Sequence, residues 1–298
     1  MIIYRKSRSY EWDFFICKKM KKVAIQGVHG SYHDIAAHQY FKGEELELIC
    51  CSTFEDIFKS MTDDPEVIGM LAIENTIAGS LLHNNELLKK SNSHIIGEHK
   101  LRISHCIACL PNESWDDLKE VNSHPIALMQ CRAFLQSHPK LRVVEAEDTA
   151  LSAEEINKNK LKGHAAICSR RAAELNNLKV LEEGIETNKH NFTRFLITQL
   201  PNTRDKLIPQ NMNKASLVFT LPHKLGSLSP ILSILSFYTM NLTKIQSLPI
   251  IGREWEYQFY IDITFSNYQH YKQALNAIKP LTNDLKILGE YEEGQYNI

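Results

Sequence analysis

The stretch from Asn188 to Ile197, NKHNFTRFLI, sets a polar cluster directly against an apolar strand pattern. Thr193, Arg194 and Phe195 form its centre. In a regular strand Thr193 and Phe195 share one face and Arg194 points the other way. The planar fork of Arg194 suits a direct contact with a carboxylate, and it equally suits a structural ion pair. A second candidate lies in IENTIAGSLLHNNELL, where Glu74, Asn75 and Thr76 follow the apolar run VIGMLAI, and Gly79 and Ser80 are read as opening a helix. Ligands of open α/β sheets gather at such carboxyl ends of strands; closing a turn and capping a helix would explain Asn75 and Ser80 as well. Upstream, the strand KVAIQG runs through GVHGSYHD into a helical pattern, which places backbone N–H groups, with Ser31 beside them, where an anion could sit. Gly27 and Gly30 lack the spacing of a dinucleotide fingerprint. In SHPIALMQC, Gln130 falls at the border of a helical apolar stripe formed by Ala127, Leu128, Cys131, Phe134 and Leu135, either solvated or aimed into a cleft.

Metal and redox chemistry find less support. The seven cysteines are scattered and mostly inside apolar segments, as reduced core thiols of a cytosolic protein are. The single CxxC, Cys106 to Cys109, reads as strand, so its two sulfurs point to opposite faces and cannot share a zinc ion. With 34 basic and 35 acidic residues the net charge is -1, which gives no electrostatic reason to expect nucleic acid or an acidic membrane as a partner. No apolar run reaches the length of a spanning helix, and the first residues lack a signal-peptide core. A small-molecule ligand fits best, in a soluble, cytoplasmic protein.

The elements that must position these residues are short strands alternating with helical stretches from Lys22 to about Leu200, a pattern of parallel-rich α/β architecture. Pro125 suits the first turn of a helix, with His124 extended before it, and Asp148 or Thr149 can cap the helix through Leu151 to Ile156. At 298 residues there is room for about two domains. Residues 1–20 read as an N-terminal extension with Met20 as a candidate start, and 201–213, PNTRDKLIPQNMN, as a linker. From 214 to 298 the order is β-α-β-β-α-β, that of the ferredoxin-like plait.

IENTIAGSLLHNNELL, SHPIALMQC and NFTRF in this order, followed by a plait containing KLGSL and NLTKIQSLP, resemble prephenate dehydratase with its C-terminal ACT regulatory domain. The resemblance implies a carbon–oxygen lyase that converts prephenate to phenylpyruvate with loss of water and carbon dioxide, in phenylalanine biosynthesis. No cofactor and no metal are implied. It further implies a two-lobed catalytic domain like a periplasmic binding protein over 21–200, with lobes at 21–98 plus 190–200 and at 99–189, then a ferredoxin-like α+β ACT domain over 214–298. Substrate would lie between the lobes.

Carried over to this chain, the resemblance makes Thr193 the group serving the leaving hydroxyl, and Asn75 and Gln130 the amides that orient or polarise prephenate. Arg194, Phe195, Ser31, Glu74, Thr76, Gly79 and Ser80 are the substrate-binding candidates. Neutral donors suit the reaction, because the enzyme must bind a dianion without overstabilising the carboxylate that is lost. L-Phenylalanine would bind near Gly226, Ser227, Leu228, Asn241 and Ser247, between ACT domains of a homodimer or homotetramer. Two departures stand out. Ile126 occupies a position that is often glutamine, and Gln246-Ser247-Leu248-Pro249 replaces the common ESRP. The alternatives are an arogenate dehydratase, which acts on the amino-acid counterpart of prephenate, and a non-catalytic amino-acid sensor.

Overall fold

The structure is a computed structural model that describes residues 20–201, 211–250, 252–253 and 256–295. The extension expected at 1–19 and most of the expected linker, 202–210, lie outside the described residues.

The first run of elements is β1 (Lys21–Gln26), α1 (Tyr32–Tyr40), β2 (Leu46–Cys51), α2 (Phe54–Asp63), β3 (Ile68–Asn75), β4 (Gly79–Ser80), α3 (Leu82–Lys90) and β5 (His94–Arg102). The starts of α1 and α2 follow from a local donor balance. Ser31 Oγ accepts from Asp34 N at the head of α1, and Thr53 and Asp56 form a reciprocal capping box at the head of α2. The expected helix opening at Gly79 and Ser80 is corrected. These residues pair back on β3 as a hairpin, Ser80 against Glu74 and Gly79 against Asn75, and α3 begins only at Leu82.

The chain leaves this sheet at Ile103 to His105, a few residues later than the boundary expected at 98, because β5 keeps its pairing to Arg102. It then builds β6 (Cys106–Cys109), β7 (Glu120–Ser123), α4 (Pro125–Gln130), α5 (Arg132–Ser137), β8 (Arg142–Glu145), α6 (Thr149–Asn159), β9 (His164–Cys168), α7 (Arg170–Leu175) and β10 (Lys179–Glu183). Pro125 is at the first turn of α4 after an extended His124, as its fixed φ favours. The single helix expected across Ala127 to Leu135 is broken at Cys131, whose φ of -97° and ψ of 18° end α4. Asp148 caps α6 by accepting from Ala150 N and Leu151 N. Cys106 and Cys109 do point to opposite faces of β6, one into each of two separate hydrophobic clusters.

The return strand, β11 (Phe192–Gln199), re-enters the first sheet between β5 and β3, antiparallel to both. After it come β12 (Lys214–Thr220), α8 (Leu228–Phe237), β13 (Asn241–Pro249), β14 (Tyr257–Thr264), α9 (Tyr268–Ile278) and β15 (Asn283–Tyr291). The result is a mixed α/β protein with two sheets. One is ordered β13-β14-β12-β15-β5-β11-β3-β1-β2 with β4 attached to β3, and the other β10-β6-β9-β7-β8. A parallel-rich arrangement was expected; β11, β10 and β6 run antiparallel to their neighbours, since each returns beside a strand that carried the chain the opposite way.

β15 and β5 meet at one pair, Gly289 with Ile95. A Cβ at residue 289 would lie 2.3 Å from Ile95 O, so only glycine permits this junction of two subsheets. Beneath it, one buried cluster is shared by both parts, with Leu71, Ile73 and Leu196 from the first and Val218, Tyr260 and Leu288 from the second. The opposite face of the first sheet packs Val23, Met70, Phe195 and Ile197 under α1.

Candidate active site

β3 and β11 end beside each other, and this pairing builds the site. Thr193 pairs with Asn75, and the register slips between Arg194 and Phe195, so β3 carries an extra residue there. Asn75 is buried and its orientation is set by the backbone. Its Oδ1 accepts from Ile77 N at 2.9 Å and Ala78 N at 2.8 Å. Its Nδ2 must then be the donating end, and it faces Thr193 Oγ1 at 2.9 Å, Asn191 Oδ1 at 2.8 Å and Phe192 O at 3.2 Å.

Gln130 is 6% exposed, which settles its place: it is aimed inward, at the first sheet. Its Oε1 accepts from Asn191 Nδ2 at 2.9 Å and lies 2.8 Å from His105 Nε2, and its Nε2 is 3.5 Å from Asn75 Oδ1. The break at Cys131 lets the Gln130 carbonyl accept from Thr187 N at 2.8 Å, which ties α4 to the segment leading back into β11. Thus Thr193 and Asn75 from the large sheet and Gln130 from α4, which packs on the smaller one, come together through Asn191. Three members of this cluster, Asn191, His105 and Tyr32, were not singled out from sequence. Asn191 lies within the polar stretch from Asn188 to Ile197, and His105 is a polar residue at the head of an apolar strand, but neither spacing nor type reveals what they face.

The two sheets also touch along α1. Ser169 Oγ donates to Gly30 O at 2.6 Å, and Arg171 Nε to Asp34 Oδ2 at 3.0 Å. The N–H of Gly30 is already engaged by Asp34 Oδ2 at 2.6 Å. Ser31 is buried in the same turn. Thr76 closes the rim: its Oγ1 donates to His190 O at 3.0 Å and accepts from Phe192 N at 2.9 Å.

Arg194 points to the other face, as strand alternation requires. Its guanidinium donates to Asp262 Oδ2 at 2.5 Å, Tyr291 Oη at 3.0 Å and Glu98 Oε2 at 3.3 Å, with Glu74 at 3.9 Å. Burial alone would raise the Asp262 carboxyl, but Arg194 and Lys244 outweigh it and hold it below its ordinary value. Lys214 joins the same network by donating to Glu98. A cavity of about 270 Å³ lies here, lined by Glu74, Thr76, Thr193, Arg194, Lys214 and Thr243 among others. Phe195 is buried and meets His33 edge-on, with ring centroids 4.9 Å apart.

Of the regulatory candidates, Gly226, Ser227 and Leu228 line one cavity of about 260 Å³ with Pro222, Lys224 and Phe259. Ser247 pairs with Phe259 at that end of β13, whereas Asn241 pairs with Thr264 at the other end. One chain therefore does not bring Asn241 to the others.

Such a fold and site define a mixed α/β enzyme whose candidate catalytic groups are uncharged amides and a hydroxyl at the contact of two sheets. Residues 23–202 match the prephenate dehydratase family. The chain is 35% identical to arogenate dehydratase 5, chloroplastic, of Arabidopsis thaliana over 91% of its length, and it spans about two thirds, 67%, of that protein. Among solved structures it resembles one described as GqqA, a novel type of quorum-quenching acylase, with 29% identity, a TM-score of 0.83 and coverage of 93% of this chain and 100% of that one. It also resembles the prephenate dehydratase of Arthrobacter aurescens in complex with L-Phe, with 25% identity, a TM-score of 0.81, and 91% and 89% coverage. The chain belongs to the prephenate dehydratase family, and it is an enzyme of the lyase class.

Proposed function

We propose that this chain converts prephenate to phenylpyruvate in phenylalanine biosynthesis, using the Thr193–Asn75–Gln130 cluster between two lobes like those of a periplasmic binding protein. In the reaction the ring carboxylate leaves as carbon dioxide, its bonding pair aromatises the ring, and the ring C–O bond breaks, the oxygen taking a proton to leave as water. The observation that carries the reading is the bond from Asn75 Nδ2 to Thr193 Oγ1, because Thr193 accepts it and keeps its own hydrogen for the departing oxygen. Asn75 and Gln130 orient the substrate. Ser31, Glu74, Thr76, Gly79, Ser80, Arg194 and Phe195 shape or rim its site, Arg194 and Phe195 through the faces of β11 they hold.

Arogenate is the second reading, favoured by the likeness to a chloroplast arogenate dehydratase. The two substrates differ only in an amine against a keto group. Purified protein offered each in turn decides between them: phenylpyruvate formed from prephenate at the higher kcat/KM supports the first reading, phenylalanine formed faster from arogenate replaces it, and turnover of neither leaves the amino-acid sensor.

Regulation belongs to the same proposal. The strand order β13-β14-β12-β15, with α8 and α9 packed into one core, supports reading this part as a ferredoxin-like ACT domain, and the cavity at Gly226 to Leu228 is its proposed site for L-phenylalanine. Asn241 would come from a second subunit in a homodimer or homotetramer, consistent with exposed Leu225, Phe237 and Ile245. A rate unchanged by saturating phenylalanine would remove this part. The setting proposed is the cytoplasm, where Cys106 and Cys168, their sulfurs 4.0 Å apart, stay reduced. Among the described residues no helix is long and apolar enough to cross a membrane.

A further inference from the structure

The direction of each hydrogen bond from Asn75 to His105 follows from the backbone donors at one end. At one end, Ile77 N and Ala78 N can only donate, so Asn75 Oδ1 accepts and Asn75 Nδ2 donates. Asn191 Oδ1 is then an acceptor, Asn191 Nδ2 a donor, and Gln130 Oε1 an acceptor. An acceptor 2.8 Å from His105 Nε2 requires a proton on that nitrogen. At the other end, the single hydrogen of Tyr32 Oη is shared between Ser104 O at 2.9 Å and His105 Nδ1 at 2.7 Å, and a ring that is neutral and protonated at Nε2 leaves Nδ1 bare to accept its share. Turning either amide over would set two donors or two acceptors against each other at Asn191. Burial lowers the pKa of His105, which keeps the ring neutral. Its backbone N–H is held by Glu186 Oε2 at 3.0 Å.

We infer that His105 is a positioning residue, held between Gln130 and Tyr32 as the neutral Nε2–H tautomer, and that it locks the Gln130 amide, and with it Asn191, in the orientation that meets Asn75 beside Thr193. The consequence for Gln130 is that its amide N–H₂ stays on the site side, where it can also donate. His105 itself touches no reacting atom. The inference rests on the dehydratase reading for its meaning, but its geometry can be tested without substrate.

The experiment has two arms on the full chain. In protein labelled with 15N-histidine, NMR should show His105 as the neutral Nε2–H form, and an Nδ1–H ring would overturn the inference. In Tyr32→Phe the same resonance should move toward a mixture of tautomers; no change there would show that Tyr32 does not set the tautomer. In the kinetic arm, His105→Gln can still present an N–H to Gln130 and should stay within about tenfold of wild-type kcat, while His105→Leu should fall on the order of 100-fold with KM changed less than about threefold. Equal losses in the two variants would mean a structural role only. Should His105→Leu fail to fold, the tautomer arm alone decides. Absence of turnover by wild type would count against the dehydratase reading and leave the tautomer result standing.

Discussion

Arg194 of β11 reaches across to Asp262 of β14 at 2.5 Å, so the residue after Thr193 is held by a carboxylate 68 positions further along the chain. The pair is almost wholly buried, and Glu98 and Tyr291 accept from the other amino group of the guanidinium. Removing one partner from such a pair leaves an uncompensated charge. Asp262→Ala should cost roughly 3 kcal/mol in denaturant unfolding and lower kcat, because β11 loses its anchor beside Thr193. Replacing both partners with apolar residues should restore most of the stability and little of the rate. Equal stability of the single and double variants would show that the pair does not act as a unit.

Thr193→Ala should lower kcat on the order of 100- to 1000-fold while the melting temperature stays near wild type, since one hydroxyl on a half-buried strand end is lost. Thr193→Ser keeps the donor and should stay within about tenfold. A Ser variant as slow as Ala would mean that the threonine methyl, and not its hydroxyl, is what the site needs.

Gly30 sits at φ +87°, and a Cβ there would lie 2.6 Å from the backbone of Ala172 in α7. Gly30→Ala should therefore both strain the turn and push the two sheets apart where Ser169 meets Gly30 O. We expect about 2 kcal/mol of destabilisation together with a raised KM, measured by thermal melts and steady-state kinetics. A variant with unaltered KM would show that this contact does not set the spacing of the site.

His33 supplies a pH dependence. Burial lowers its pKa to about 3, and its Nε2 must stay bare because Ala72 N donates to it at 3.3 Å. The unfolded chain takes up this proton near pH 6.5 and the folded chain does so only near 3. The stability is complete above 6.5 and is lost as pH falls, by on the order of 4 kcal/mol at pH 3 from this group. Asp262, also lowered in the folded state, adds a loss of the same sign at the acid end of that window. His33→Gln, which keeps an acceptor and does not titrate, should flatten the decline between pH 6 and pH 4 in about the range of one proton. An unchanged slope would assign the acid sensitivity elsewhere.

The elements were largely legible in the residues: the period of two in FTRFLI, the capping residue Asp148, Pro125 after an extended His124, and the order of the last six elements all act over a few positions. So was the opposition of Thr193 and Arg194, because alternation in a strand is local. The motifs in their order also pointed to the family that residues 23–202 match. What tertiary structure alone decided is what each of these side chains meets. Gln130 could have been solvated, yet it faces Asn75 from 55 positions away. Arg194 could have been free for a ligand, yet Asp262, Glu98 and Tyr291 surround it. Gly79 and Ser80 carry no local signal that separates a helix start from a hairpin, and the free edge of β3 selected the hairpin. His105 and Asn191 are the sharpest case: their roles depend on donor and acceptor matching among groups from five separate segments, and that matching exists only once the sheets have closed on each other.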